Sequence, residues 1–412
     1  MEQVLYQLPD GWKWISIKKL SRNIQYGHTA KAESSGNAKF LRITDIQDGK
    51  IDWQGVPTVS LEEKEIRKYA LNDNDLVFAR SGATAGKSIL IKGAPRDAVF
   101  ASYLIRIVPD QEQVIPEYLS YFFLTPAYWE VVGLNAAGAA QPNINGTKLS
   151  EFIVPVAPVE EQRRIIKKLD ELLTRIDAAI EHLQESVTLA DALYASELNE
   201  VFPSGAGTEH LTENFGWVSL SDVCTFENGD RGTNYPSKSA FVSEGIPVVS
   251  AGNLGERYIE RKGLNYITPE RYDLLRSGRI RIGDILFCLR GSLGKVAISQ
   301  DIDEGVIASS LVIIRPKDDV LSEYIYKYLK STLCQQFISH YNNGAAQPNL
   351  SAKSLGKFML PLPSADQQKA IVEGLDSKYK LNQKLLGSLN SKILSLRGLQ
   401  ASILDSAFKG DL

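Results

Sequence analysis

The sequence predicts an α+β protein of two similar globular lobes, each followed by a long α-helix, with the two helices pairing as an antiparallel coiled coil. Three observations carry this. The first is an internal repeat: Gly138-Ala139-Ala140-Gln141-Pro142-Asn143-Ile144 returns as Gly344-Ala345-Ala346-Gln347-Pro348-Asn349-Leu350, an offset of 206 (344 − 138). Phe152 and Phe358, Pro155 and Pro361, Gln162 and Gln368, and Phe202 and Phe408 keep the same offset. The second is a heptad run near the end of each copy, and the third is the strand-and-turn pattern that precedes each run. Each copy fills half of the 412 residues, far longer than a solenoid repeat. Whatever one lobe does is therefore expected twice.

Taken in order, the upstream match is looser but keeps its sequence. Gly11-Trp12 answers Gly216-Trp217, and Asn74 to Phe78 answers Gly283 to Phe287. Gly86-Lys87 answers Gly294-Lys295, and Ala101-Ser102 answers Ala308-Ser309. Lys39 to Ile46 and Val248 to Leu254 read as short strands running into loops, and Asp75 to Arg80 and Asp284 to Arg290 as buried strands entering glycine turns. Glu117 to Phe123 and Glu323 to Leu329 read as short helices. From Glu160 the apolar positions Ile166, Leu169, Leu173, Ile176, Ile180, Leu183, Val187, Ala190 and Tyr194 step by three and four alternately, the pattern of a coiled-coil seam. No proline or glycine interrupts residues 160 to 202, so the helix extends about 60 Å at roughly 1.5 Å per residue. Pro203-Ser204-Gly205-Ala206-Gly207 then breaks it. The second run, Asp366 to Phe408, has its seam at Leu386, Leu389, Ile393, Leu396 and Ile403, with polar Lys378 and Asn382 near it as register-setting positions. The expected arrangement is a paired-helix rod with a lobe at each end.

Composition narrows the function. The apolar fraction of 43% and charged fraction of 23% are those of an ordinary soluble globular protein. With no signal-like N-terminal segment, no apolar run near membrane length, and an odd set of cysteines (Cys224, Cys288, Cys334), a reducing cytoplasm is expected, with no membrane partner. The histidines His28, His182, His210 and His340 make no zinc spacing. A net charge of −3 is unusual for a free-standing nucleic-acid binder, so any DNA role implies a partner that supplies phosphate electrostatics.

The sequence offers no catalytic constellation. Ser81-Gly82-Ala83-Thr84-Ala85-Gly86-Lys87-Ser88 is superficially like a P-loop, but Ser81 stands where the motif needs glycine. The second copy, Gly291-Ser292-Leu293-Gly294-Lys295-Val296, is shorter and loses the magnesium-ligating hydroxyl. Such a turn, with exposed backbone N–H groups and a lysine, still suits a phosphate. Gln141-Pro142-Asn143 lacks the second proline and the aromatic residue of an amino-methyltransferase loop. No metal or cofactor is expected in this chain.

Two lobes each closed by Gly-Ala-Ala-Gln-Pro-Asn lead into heptad helices that open with Pro155 to Gln162 and Pro361 to Gln368, and the chain ends Leu404-Asp405-Ser406-Ala407-Phe408-Lys409-Gly410-Asp411-Leu412. This closely resembles the DNA-specificity subunit of type I restriction–modification enzymes, over essentially the whole chain. The resemblance implies a first target-recognition domain at 1–158, a central helical spacer at 159–202 and a linker at 203–212. A second target-recognition domain follows at 213–364, and a C-terminal helical spacer at 365–412. It also implies a non-catalytic chain that reads both halves of a bipartite double-stranded DNA target. Two methyltransferase subunits, with S-adenosylmethionine, and restriction (motor-nuclease) subunits, with ATP and Mg, would dock on it for adenine methylation or cleavage in defence against foreign DNA. The alternative class is a coiled-coil scaffold with two protein-binding lobes.

The repeat sorts candidate DNA-binding residues. Lobes that read different sequences share phosphate contacts and differ where they read bases. Lys87 with Lys295, and Ser102 with Ser309, are thus the candidate backbone contacts. Gln141, Asn143, Gln347 and Asn349 are assigned to framework. Candidate base readers in the first lobe lie in Tyr26 to Lys31 (Tyr26, His28 and Lys31), with Arg42, Thr44, Arg80 and Tyr103. Those in the second are Arg231, Asn234, Tyr235, Lys238, Ser250, Asn253 and Arg290.

Overall fold

A computed structural model describes residues 6–47, 49–136, 143–203, 216–232, 235–342 and 349–412. The Gln-Pro motifs at 138–142 and 344–348, the expected linker beyond Pro203, Asn234 and the side chain of Lys238 lie outside the described residues. The chain forms two compact units, Met1–Gln184 with Asn390–Leu412, and Glu185–Leu389.

In the first unit the central sheet is antiparallel, in the order Ser21–Tyr26, Leu104–Pro109, Leu76–Ala79, Ser88–Leu90. Leu76 to Ala79 are all buried because both faces of this sheet are covered. Leu76, Phe78, Ile105 and Ile107 face a core shared with the short helix Pro116–Phe122 and the long helices. Val77, Ile89 and Leu104, one residue out of phase, face a second core against the strands Ala38–Leu41 and Ala98–Phe100. The second unit repeats this with Cys224–Asn228, Leu311–Pro316, Ile285–Cys288 and Val296–Ile298. The anticipated strands are shorter than the sequence suggests. Ala38–Leu41 and Ile246–Val249 each give way to a one-turn 3-10 helix, Ile43–Asp45 or Ala251–Asn253, closed by a side chain that caps its own start.

A buried aspartate recurs beneath each central sheet but is neutralised from different positions. Asp284 accepts two bonds from Arg315, both at 2.7 Å, while Asp75 lies 3.7 Å from Arg106. Burial, the larger influence, lifts the Asp75 carboxyl above its ordinary value in spite of Arg106.

The long helices run Val159–Val201 and Ala365–Lys409. Within the first unit they are antiparallel: Arg164 donates to Leu412 O at 2.6 Å, and Gln400 to Asp177 Oδ1 at 2.6 Å. Within the second, Lys378 pairs with Glu197, and the Tyr194 and Tyr379 rings lie 5.2 Å apart. Leu169, Leu173, Ile176, Ile180 and Ala190 of the seam are buried, as is polar Asn382. A buried glutamine locks each helix to its lobe. Gln162 Oε1 accepts from Ile115 N (2.8 Å) and its amide donates to Ala157 O (2.8 Å); Gln368 does the same with Leu321 N (2.9 Å) and Pro363 O (3.0 Å). Phe202 ends the first helix against Tyr324 and Tyr328, and Phe408 ends the second against Tyr118 and Phe122.

One upstream pairing needs correction. Trp14 lies opposite Pro155 as Trp217 lies opposite Pro361, so the counterpart of Trp217 is Trp14 and not Trp12. Register is set by the strand partner, and the sequence match was two residues out.

Candidate nucleic-acid interface

At one end of the central sheet backbone hydrogen bonds lace together four segments in the first lobe and three in the second. In the first lobe His28 N–H donates to Phe100 O (2.8 Å) and Ser102 N–H to His28 O (3.0 Å). Arg80 N–H donates to Tyr103 O (3.0 Å), while Arg80 O accepts from Ile144 N–H (2.9 Å). Gly27 is needed here because a Cβ would lie 2.2 Å from Ala101 O; Gly229 makes the matching approach to Ala308 O. In the second lobe Leu289 N–H donates to Ser310 O and Leu289 O accepts from Leu350 N–H, both at 2.9 Å. Leu289 is thus the counterpart of Arg80, and Arg290 stands where Ser81 stands. The bridges Ser81 to Asn143 and Arg290 to Asn349 agree.

On this framework Tyr26, Arg80, Ser102, Tyr103 and His28 come together. The Arg80 guanidinium lies over the Tyr26 ring at 5.2 Å, and Tyr26 Oη accepts from Gly146 N–H at 2.6 Å. Tyr103 is 65% exposed, a free aromatic face at the rim. His28 Nε2 lies 3.2 Å from Glu65, with its ring edge-on to Tyr69. Lys31 is exposed in the following loop, and Thr44 on the 3-10 turn. Arg42 precedes that turn and binds Asp45 through two nitrogens, at 2.7 and 3.1 Å.

In the second lobe Arg231 donates to Ser309 O (3.3 Å), and Arg290 Nε to Asn349 Oδ1 (3.1 Å). Lys295 Nζ donates to Ala251 O (3.0 Å), tying the glycine turn to the 3-10 turn that holds Ser250. Tyr235 is half-buried beside this face. Asn253 is buried, and its carbonyl accepts from Ser250, so it serves to hold the turn together.

In each Gly-Lys turn three of the N–H groups are engaged within the turn itself. The N–H groups of Ala85, Gly86 and Lys87 donate to Gly82, Ala79 and Thr84 carbonyls. Those of Leu293, Gly294 and Lys295 donate to Gly291, Cys288 and Ser292. Each turn so closes a hairpin on itself, with its lysine exposed beside it. Lys353, exposed on the short helix Ala352–Leu355, escaped the sequence reading. The signal was there: it stands where Thr147 stands in the first copy, at the same offset of 206 (353 − 147).

Among the described residues no group of histidine, cysteine and carboxylate side chains could hold a metal ion, and no helix is long and apolar enough to cross a membrane. The three cysteines are buried and unpaired.

Fold and site together define a duplicated α+β protein that presents two differently furnished loop faces on one repeated framework. The family model described as "Type I restriction modification DNA specificity domain" matches residues 9–189 and again 212–394, and the chain belongs to that family. It is similar to the type I restriction enzyme EcoBI specificity subunit of Escherichia coli, 21% identical over 99% of this chain and 88% of that protein. It is also similar to the EcoKI specificity subunit of Escherichia coli K12 (22%, over 98% and 90%) and to a putative MjaX specificity subunit of Methanocaldococcus jannaschii (25%, over 90% and 87%). Among solved structures, a chain from work on complex assembly and conformational transition of the type I R-M system aligns at a TM-score of 0.78, with 22% identity over 99% of this chain and all of that one. The HsdS subunit from Thermoanaerobacter tengcongensis aligns at 0.54, with 21% identity over the full length of both. These two likenesses establish the shared fold.

Proposed function

We propose that this chain is the non-catalytic subunit that reads a bipartite double-stranded DNA target, one half with each lobe. Its long helices dock two methyltransferase subunits, which bring S-adenosylmethionine, and the restriction subunits, which bring ATP and Mg. It works in the cytoplasm, where it selects sites for adenine methylation or cleavage. The observation that carries this reading is that one backbone framework occurs twice while the side chains it presents differ. That is the economy expected of two readers with different half-sites. The division at 1–158 and 213–364 into target-recognition domains, with spacers at 159–202 and 365–412, belongs to the same proposal.

Within it, Tyr26, His28, Lys31, Thr44, Arg80 and Tyr103 face one half-site, with Arg42 anchored by Asp45 at the margin. Arg231, Tyr235, Ser250 and Arg290 face the other, with Asn234 and Lys238 on the adjoining loop. Lys87, Lys295, Ser102 and Ser309 are proposed to touch the backbone. Arg80 is the sharpest test, since an arginine that takes guanine by two bonds is worth about 1–3 kcal/mol of discrimination. Arg80→Ala is expected to relax base preference at one position of one half-site and leave the other half unchanged. Competition binding of the assembled complex to single-base variants of the target measures this. Unchanged discrimination at every position would remove Arg80 from the reading face, and a complex that protects no DNA from nuclease would point to a protein-binding scaffold.

A further inference from the structure

The two lobes differ in substance at one matched place. Tyr26 and Asn228 are counterparts, each at the end of its strand opposite Ile105 or Val312. In the first lobe the Tyr26 ring fills the space between the Arg80 guanidinium and the start of the helix Gly146–Glu151. In the second lobe the shorter Asn228 leaves a cavity of about 460 Å³, lined also by Arg231, Arg290, Ser351 and Lys353. The cations there replace neutral residues. Thr29 stands where Arg231 stands, counting from Gly27 and Gly229; Ser81 matches Arg290, and Thr147 matches Lys353.

No carboxylate lines this cavity, and none of its three cations pairs with one among the described residues. Asn349 accepts from Arg290 Nε at 3.1 Å and so fixes the guanidinium plane, while Ser309 O holds Arg231 at 3.3 Å. Three like charges held in one concavity without a counter-charge repel one another, and a bound anion relieves that repulsion. The planar guanidinium fork and the lysine point charge match the oxygens of a phosphate, and every charged group lining the cavity is a donor.

We infer that this cavity holds a phosphate group of the DNA backbone through Arg231, Arg290 and Lys353, and that the first lobe, closed by Tyr26, holds none at the matching place. The inference rests on the DNA-reading function proposed above. It moves Arg231 and Arg290 from base reading to backbone anchoring, so that the two half-sites are gripped unequally.

The test uses the full chain assembled with its methyltransferase subunits and a duplex carrying its methylated target, with Kd followed across a salt series. The double variant Arg290→Ala/Lys353→Ala is expected to weaken binding about equally for every base variant of the second half-site. It is also expected to flatten the slope of log K against log salt by about 1. A neutral methylphosphonate, scanned through the second half, is expected to cost the wild type about tenfold at one phosphate and to cost the double variant nothing there. Thr147→Ala leaves the slope unchanged. Arg290 and Lys353 are exposed, and matched thermal unfolding of each single variant separates a binding loss from a folding loss. A change of base preference at one position with an unaltered salt slope would overturn the inference and return Arg290 to base reading. A wild-type complex that binds no duplex at all would overturn the DNA-reading function itself, and this inference with it.

Discussion

Replacing Phe408 with alanine is expected to destabilise the first unit by about 3–5 kcal/mol, the cost of emptying a closed aromatic site. Phe408 is 2% exposed, with ring centroids 4.8 Å from Tyr118 and 5.5 Å from Phe122. Its backbone carbonyl accepts from Tyr6 Oη at 2.6 Å, and Leu404 and Ala407 line the same core. The neighbours belong to a sheet and helices already fixed by other contacts, so little collapse into the space is available. Denaturant unfolding of the variant reads the loss directly. Phe202→Ala repeats the experiment in the second unit, where the ring is fully buried 5.3 Å from Tyr324 and 5.7 Å from Tyr328. A loss below about 1 kcal/mol in either variant would mean that the helix ends do not close the lobes.

The second large effect is expected from Asp376→Ala. Lys327, its side chain only 4% exposed, lies 2.6 Å from Asp376, and Arg257 donates to the same carboxylate at 2.8 Å. The remaining company of Lys327 is the Tyr194 hydroxyl at 3.2 Å and the faces of Tyr379 and Tyr194 at 5.5 and 5.9 Å. Removing the carboxylate leaves a buried ammonium without a counter-charge, at a cost of about 3–5 kcal/mol. Adding Lys327→Met to Asp376→Ala is expected to recover much of the loss, because an apolar chain of similar length needs no partner. Failure of that rescue would place the destabilisation elsewhere. Burial raises the Asp376 carboxyl, but the bonds from Lys327 and Arg257 outweigh it and hold the group below its ordinary range. Its folded value being the lower one, the pair's contribution is complete above the unfolded value of about 3.9 and is lost as pH falls through the folded value. The first copy has no cation at the matching position: there the Tyr121 hydroxyl donates to Asp170, at the same offset of 206 (327 − 121 and 376 − 170).

The helices were the most legible part of this chain. Their seams step by three and four without proline, and Gln162 and Gln368 announced themselves as a repeated pair, although only the structure gives them their task of locking helix to lobe. The strands were legible as apolar runs but not in register. A strand's side chains alternate, so a slip of one residue exchanges the two faces. That is why Arg80 and Arg290, each the arginine that closes its run, are not counterparts: the first matches buried Leu289, and the second matches Ser81. The glycine turns were only partly legible for a related reason. Composition shows that a turn is present, but whether its N–H groups are free depends on the carbonyls opposite. The proposed reading face rests on polar loops picked out in the sequence, whereas Lys353 needed the two copies compared position by position.

The most direct measurement is a map of modified adenines. The chain is produced with the methyltransferase subunits it is proposed to dock, in a host without such methylation, and the genome is read by single-molecule sequencing. The account predicts methylation at a split motif, and it predicts that exchanging residues 1–158 for another lobe changes one half of that motif alone. An intact complex that leaves no modified motif, or an exchange that alters both halves, would contradict the central claim that each lobe reads its own half of the target.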